Sequence, residues 1–508
     1  MKNTICGLCA AIFIPITAQA NVRLPSLFSD HMVIQCDMVA PIWGWADAGE
    51  SVSVSIGSQT KTTTANQKGK WSIKLDKLHA TEPATLTVKG KNTITINDVL
   101  IGEVWIASGQ SNMQMQVNGV NNAQAEIAKA AFPQIRMFMV ERRTAITPQE
   151  ECNGKWLVCN PENVTQFSAT AYFFGRDLHQ TLHTPVGLIN TSWGGTSIEA
   201  WTSNAALDSK PELSPLIKPW ELKSKAPFDQ EKANAQYQKQ LGLWKVQAEK
   251  AKAEGKPKPQ EPKKPVAPRL QQNYPGNLFN GMVAPLIPYA IRGGIWYQGE
   301  ANGKLETAAL YRIQLPLLVT DWRTRWNQGD FPFAWVQLPN FKEPTTDPGA
   351  PSGWALVRES MLQSLKVPHT GMAVIIDSGE TNNIHPKNKQ VVGKRLALWA
   401  RAQVYGEKIL FSGPLFASHK INGNDIVLTF THNEGLKATD GELKGFAIAD
   451  ASKKWLTANA KIVGDTVVVS HPDIKSPTAV RYSWADNPNG NLSNKSEIPA
   501  SPFRTDDW

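Results

Sequence analysis

A serine two residues after a glycine, at the end of an apolar run, is a place where acyl-transfer chemistry can start. Ser111 has that setting in Val104-Trp105-Ile106-Ala107-Ser108-Gly109-Gln110-Ser111-Asn112-Met113. A serine nucleophile needs a base to take its proton and donors to hold the oxyanion that forms. Three later stretches contain residue types for those tasks: Ser192-Trp193-Gly194-Gly195-Thr196, Trp296-Tyr297-Gln298-Gly299-Glu300-Ala301-Asn302 and Asn383-Ile384-His385-Pro386-Lys387-Asn388-Lys389. His385 is the candidate base, because imidazole changes charge near neutral pH. Gly194 and Gly195 let a backbone N–H approach a substrate with no side chain in the way. With the Ser111 N–H they are the candidate oxyanion donors, the more so if a helix starts at the serine and leaves its first N–H groups free. Each stretch alone also fits an ordinary turn or helix start.

Taken together, in this order and spacing, the four stretches resemble the sequence blocks of the SGNH hydrolases, and specifically the sialate O-acetylesterase family within them. The likeness extends to Leu24-Pro25-Ser26-Leu27-Phe28-Ser29-Asp30-His31-Met32-Val33 and to Ala500-Ser501-Pro502-Phe503-Arg504-Thr505-Asp506. It implies a serine carbohydrate esterase that removes O-acetyl groups from sialic acids, at the 9-O position, through an acetyl-serine at Ser111. His385 would act as base in both half-reactions. The resemblance requires no cofactor. It makes the Gln298 side-chain amide a third oxyanion donor and puts Asn112, Glu300 and Asn302 in a hydrogen-bonding scaffold. An alternative substrate is acetylated plant hemicellulose, xylan or xyloglucan. A non-catalytic carbohydrate-binding protein and a long-chain lipase are the remaining readings, disfavoured by the full set of site residues and by the lack of an evident apolar lid.

The sequence departs from the superfamily pattern at the group that orients the histidine. Many relatives carry an aspartate three residues before it, where this chain has Asn382; two before it stands Asn383. An amide oxygen accepts an imidazole N–H but brings no negative charge. Either Ser111 and His385 work as a dyad with an amide or backbone carbonyl as orienter, the slightly favoured reading, or a carboxylate such as Asp377 or Glu380 serves. Arg358 is a chemical candidate for gripping a sugar carboxylate, set against an ordinary ion pair with a neighbouring acid.

Strands must carry these stretches. Val104–Ser108, Val186–Thr191, Ile291–Tyr297 and Gly371–Asp377 read as strands, with helices at Thr170–Leu182 and His385–Ala402. Alternating strands and helices imply a parallel sheet flanked by helices, with its ligand crevice beyond the strands' C-terminal ends. The expected fold is therefore α/β of the SGNH-hydrolase type over 99–404, with accessory β-sandwich domains before it (21–98) and after it (405–508). The first of these rests on the evenly spaced runs Met38–Trp45, Ser51–Ile56, Lys70–Leu75, Ala84–Val88 and Thr93–Ile96. Residues 208–272 read as an insertion, with a helix at Gln230–Glu254 and a stiff Lys/Pro-rich connector at Lys256–Pro265. It is either a lid edge or a solvated excursion.

Composition sets the remaining bounds. Apolar residues at 41% and charged residues at 19% are ordinary for a soluble enzyme. The net charge of +9 suits acidic ligands, but its lysines crowd into one segment, and no nucleic-acid motif accompanies it. Met1–Ala20, with an apolar run ending in Ala18-Gln19-Ala20, reads as a secretory signal, so a mature protein starting at Asn21 should be exported or periplasmic without a membrane anchor. Beyond it lie Cys36, Cys152 and Cys159, of which the last two could close a short loop. No Cys or His spacing suggests a metal site.

Overall fold

One strand, Thr93–Gly109, organises the computed structural model, which describes residues 21–79 and 83–508. The signal-peptide reading of 1–20 lies outside the described residues. The strand is 17 residues long and changes character partway. From Thr93 it runs antiparallel to Ala84–Lys89 with one side open to water; from Val99 to Gly109 every residue is buried. That switch is the signature of a strand passing from a half-solvated sheet into a parallel one covered on both faces. The bend falls at Asp98, whose backbone is left-handed (φ 54°).

Seven strands follow the order Thr370–Ala373, Phe333–Val336, Gly293–Tyr297, Thr93–Gly109, Val186–Ser192, Phe132–Met139, Trp156–Cys159. All neighbours are parallel except the last pair. Trp105 and Ala107 point into one core with helices Ala169–Leu182 and Lys389–Gln403, while Val104 and Ile106 face the other, with helix Tyr311–Trp326. The first two helices approach closely because Gly393 has no side chain; a Cβ there would stand 2.5 Å from that of Phe173.

The sequence expectations for the parallel sheet hold in outline, and several details differ. The strand at 370 ends at Ala373. Phe132–Met139, Trp156–Cys159 and Phe333–Val336 were not anticipated; the last two are runs of four, too short to show a period. The last helix starts at Lys389 instead of His385, because the Asn388 side chain caps it by accepting from the Val391 N–H, which leaves His385 on the preceding loop.

Upstream, Ser51–Ile56, Gln59–Thr64 and Ala84–Lys89 join the central sheet through Thr93–Gly109, and only Ala40–Trp45 and Lys70–Leu75 form a separate pair. Downstream, two four-stranded sheets share a core of Ile426, Leu428, Ile448, Val467, Val480 and Phe503. Between 208 and 272 lie helices Ser214–Lys225 and Gln230–Ala253, the second with Ala248 as its one buried residue. The Lys/Pro connector folds back on it, with Trp244 Nε1 donating to the Pro259 carbonyl at 2.9 Å. Among the described residues no helix is long and apolar enough to cross a membrane.

Candidate active site

Strand register brings the sequence stretches together. Gly109 pairs with Ser192 on one side and Tyr297 on the other, so the segments that follow each strand emerge side by side at the sheet's C-terminal edge. Gly109 has φ 140°, and a Cβ there would sit 2.1 Å from the Tyr297 carbonyl oxygen. No other residue fits that turn. Gln110 then donates its N–H to the Tyr297 carbonyl at 2.9 Å, and Ser111 opens a single helical turn, Ser111–Gln114.

The histidine loop meets this turn. His385 Nε2 lies 2.8 Å from Ser111 Oγ. Burial lowers the His385 pKa, and the nearby Lys389 charge lowers it further. The neutral imidazole is thereby favoured, the form able to accept a proton.

The Ser192–Thr196 turn closes over the serine. Trp193 donates its N–H to the Gly109 carbonyl at 3.1 Å, and a Cβ on Gly194 would stand 3.2 Å from Ser111 Cβ. The Gly194 N–H is engaged by Gln114 Oε1 at 2.6 Å. Gly195 has φ 71°. Both glycine carbonyls are braced from the end of the 208–272 segment and just beyond it, by Gln272 Nε2 at 3.1 Å and Asn273 Nδ2 at 2.9 Å.

Gln298 does not reach the serine with a free donor. It is fully buried, its Nε2 is shared among Asn302 Oδ1 (2.7 Å), the Thr196 carbonyl (3.1 Å) and Gln110 Oε1 (3.2 Å), and its Oε1 accepts from Tyr311 at 2.9 Å. A primary amide has two N–H groups, and both are spent inside the protein. Gln298 thus belongs with the scaffold instead of the oxyanion donors. Asn302 extends that scaffold, accepting from the Ile198 N–H at 3.1 Å and donating to Glu199 Oε2 at 3.1 Å.

Behind the serine lies a buried charged network. Asn112 donates through Nδ2 to Glu300 Oε1 (2.5 Å) and the Ile384 carbonyl (3.0 Å), and accepts at Oδ1 from Lys389 Nζ at 2.6 Å. Burial raises the Glu300 pKa, countered by the Asn112 bond. Burial draws the Lys389 ammonium down to about 7, against the pull of Glu300 and Glu380. Sequence reasoning passed over Lys389, Glu199 and Gln110; position four after His385 was the one signal for the lysine.

None of the proposed orienting groups touches the imidazole. Asp377 is held by Arg395 through two bonds of 2.6 Å. Glu380 accepts from Asn383 Nδ2 (2.9 Å) and the Lys387 N–H (2.8 Å). Asn383 bonds to the His385 backbone, accepting its N–H and donating to its carbonyl at 3.0 Å each, and Asn382 is exposed. Among the described residues no side chain hydrogen-bonds to Nδ1 of His385. Arg358 is fully buried and donates to the Leu338, Pro339, Ala485 and Asp486 carbonyls, which removes it as a grip for a sugar carboxylate. Cys36, Cys152 and Cys159 are free thiols, so the 152–159 loop is not closed by a disulfide.

The family model described as "Carbohydrate esterase, sialic acid-specific acetylesterase" matches residues 101–221 and 272–400, and its gap covers the exposed helix Gln230–Ala253 and the connector. The sialate O-acetylesterase of Homo sapiens is 30% identical over 95% of this chain and 92% of its own length. That of Mus musculus is 29% identical over 98% and 97%. A crystal structure of a carbohydrate acetylesterase from Xanthomonas citri superposes with a TM-score of 0.81 at 34% identity, covering 96% of this chain and all of the other. The chain is an esterase and belongs to the sialic acid-specific acetylesterase family of carbohydrate esterases.

Proposed function

We propose that this esterase removes O-acetyl groups from sialic acids, at the 9-O position, by a Ser111–His385 dyad. The observation that carries the mechanism is the 2.8 Å contact between His385 Nε2 and Ser111 Oγ. Ser111 attacks the acetyl carbonyl as His385 takes its proton, and the sugar hydroxyl leaves with that proton. Water, deprotonated by the same imidazole, then releases acetate from the acetyl-serine. The Ser111 N–H and the Gly194–Gly195 turn, which packs against the serine, supply the backbone donors for the oxyanion; Gly194 serves by giving up its bond to Gln114. The substrate assignment draws on the mammalian relatives named as sialate O-acetylesterases.

A polysaccharide substrate is the second reading, favoured by the burial of Arg358 and by the bacterial relative described only as a carbohydrate acetylesterase. Acetate release from 9-O-acetylated sialic acid, acetylated xylan and acetylated xyloglucan separates the two. Release from sialic acid, lost in Ser111→Ala, is the expected result. Release from the polysaccharides alone would overturn the substrate, and unchanged release by Ser111→Ala would overturn the mechanism.

A further inference from the structure

Lys389 is buried completely, a costly position for an ammonium, and the dyad chemistry gives it no task. Its Nζ donates to Asn112 Oδ1 at 2.6 Å and to the Pro386 carbonyl at 2.7 Å, and it stands 5.1 Å from the centre of the Tyr297 ring. Asn112 in turn donates to the Ile384 carbonyl. The carbonyls of the residues on each side of His385 are therefore tied, through one ammonium and one amide, to the residue that follows Ser111. The two halves of the dyad come from chain positions 274 apart, and this knot joins them behind their reactive atoms.

We propose that Lys389 is a positioning residue for the esterase reaction: its ammonium fixes the His385 loop against the Ser111 turn, and its charge, behind the ring, adds to burial in opposing a second positive charge there. The proposal rests on the Ser111–His385 reading. Glu300 balances the ammonium from the far side of Asn112, with one carboxylate oxygen, Oε2, buried and unpartnered among the described residues. The other charged groups near the loop are engaged elsewhere or exposed. Glu380 is bonded to Asn383 and to the Lys387 N–H, Asp377 is paired with Arg395, and the Lys387 side chain is exposed. The Lys389 charge is present where it matters, because the lysine holds its proton below about 7, the range in which a depressed histidine titrates. At higher pH the lysine's own proton loss lifts that restraint on the imidazolium that forms during turnover.

The test combines an NMR titration of labelled histidine, assigned with His385→Gln, with the pH profile of kcat/KM on p-nitrophenyl acetate. Wild-type His385 is expected to titrate below the ordinary value of about 6.5. Lys389→Met and Lys389→Gln, checked for folding by circular dichroism, are each expected to raise that midpoint and the acidic limb of kcat/KM by about 0.5–1.5 pH units. Plateau kcat should fall about tenfold or more with KM nearly unchanged, since the loss is one of alignment. A wild-type midpoint at or above 6.5, or limbs unmoved in folded variants, overturns the proposal. Burial by itself also lowers the histidine pKa, so if both variants fail to fold, Asn112→Ala, which unties the ammonium from the Ser111 turn, is read instead: a plateau kcat about tenfold lower with KM nearly unchanged is expected, and a kcat within about twofold of wild type overturns the proposal. Ser111→Ala serves as control: retained turnover there removes the dyad reading, whereas lost turnover with unmoved limbs in the lysine variants removes only the role of Lys389.

Discussion

Arg395 holds both carboxylate oxygens of Asp377, each at 2.6 Å, and so withdraws from the imidazole the acid at the end of the strand-to-loop path on which His385 lies. With Glu380 likewise bonded to Asn383 and the Lys387 N–H, the proposed dyad has no charged orienter among the described residues. Asp377→Asn should then lower kcat/KM by less than about tenfold, against the roughly 10⁴-fold loss that follows when a triad aspartate is amidated. Steady-state kinetics at the pH optimum decide it, and a loss near the larger figure would restore a triad.

Ser111→Ala and His385→Ala should each cost about 10³-fold or more in kcat, and the double variant should cost no more than the worse single one. Groups that act as a unit lose their function together. Additive losses in burst-free acetate-release assays would mean that the two residues serve separate steps.

Gln298→Ala distinguishes a scaffold amide from an oxyanion donor. Removing the buried amide leaves the Thr196 carbonyl, Asn302 Oδ1 and the Tyr311 hydroxyl short of a partner, at a cost of about 1–3 kcal/mol. Urea denaturation should show that loss alongside reduced activity. A hundredfold fall in kcat with unchanged stability would return Gln298 to the oxyanion site.

Arg358→Met should act on stability and not on substrate affinity. Four backbone carbonyls lose their donor, for which about 3 kcal/mol or more is expected. KM for an acidic sugar should stay within about twofold of wild type in the folded fraction. A selective rise in KM for sialic acid over a neutral acetyl ester would contradict the buried, structural role.

The cysteines give a chemical check. Cys152 is buried beside Ser26, and Cys159 directs its thiol at the Ala130 carbonyl; burial pushes their pKa values up to about 11 and about 12. Native protein should not react with a thiol reagent near pH 8, because the thiolate is the nucleophile. Denatured protein prepared without residues 1–20, which carry Cys6 and Cys9, should expose Cys36, Cys152 and Cys159 as free thiols; a single thiol would show that Cys152 and Cys159 had paired.

What the sequence made legible was the meeting of Ser111 with His385 and the parallel sheet that brings their loops together. Those followed from residue types with few alternatives: a glycine forced by φ 140° at position 109, and strands that end where chemistry begins. What it hid was direction. Gln298 is on the loop that was read, but a side-chain amide points where its neighbours pull it, and residue types alone did not show that Asn302 on the same loop and Tyr311 beyond it would take up its nitrogen and oxygen. Lys389 was passed over; it is the first residue of the helix that Asn388 caps, and its side chain is buried. Arg358 failed for the opposite reason, since its partners are backbone carbonyls, which leave no trace in residue identity.

The bend at Asp98 bears on how the molecule comes apart. Arg136, from the central sheet, donates to both Asp98 carboxylate oxygens at 2.7 and 3.0 Å, and His31, from the upstream segment, bonds to the same group at 2.6 Å. The point at which a boundary would be drawn is thus a three-way joint inside a continuous strand, not a linker. Heat or denaturant cannot release the upstream strands without pulling on the strand that leads to Ser111, so the two should melt as one cooperative unit. A fragment cut to begin at Val99 would lose the parallel partner Val33–Gln35 and the joint with it. In this esterase the upstream strands are part of what keeps the serine in place.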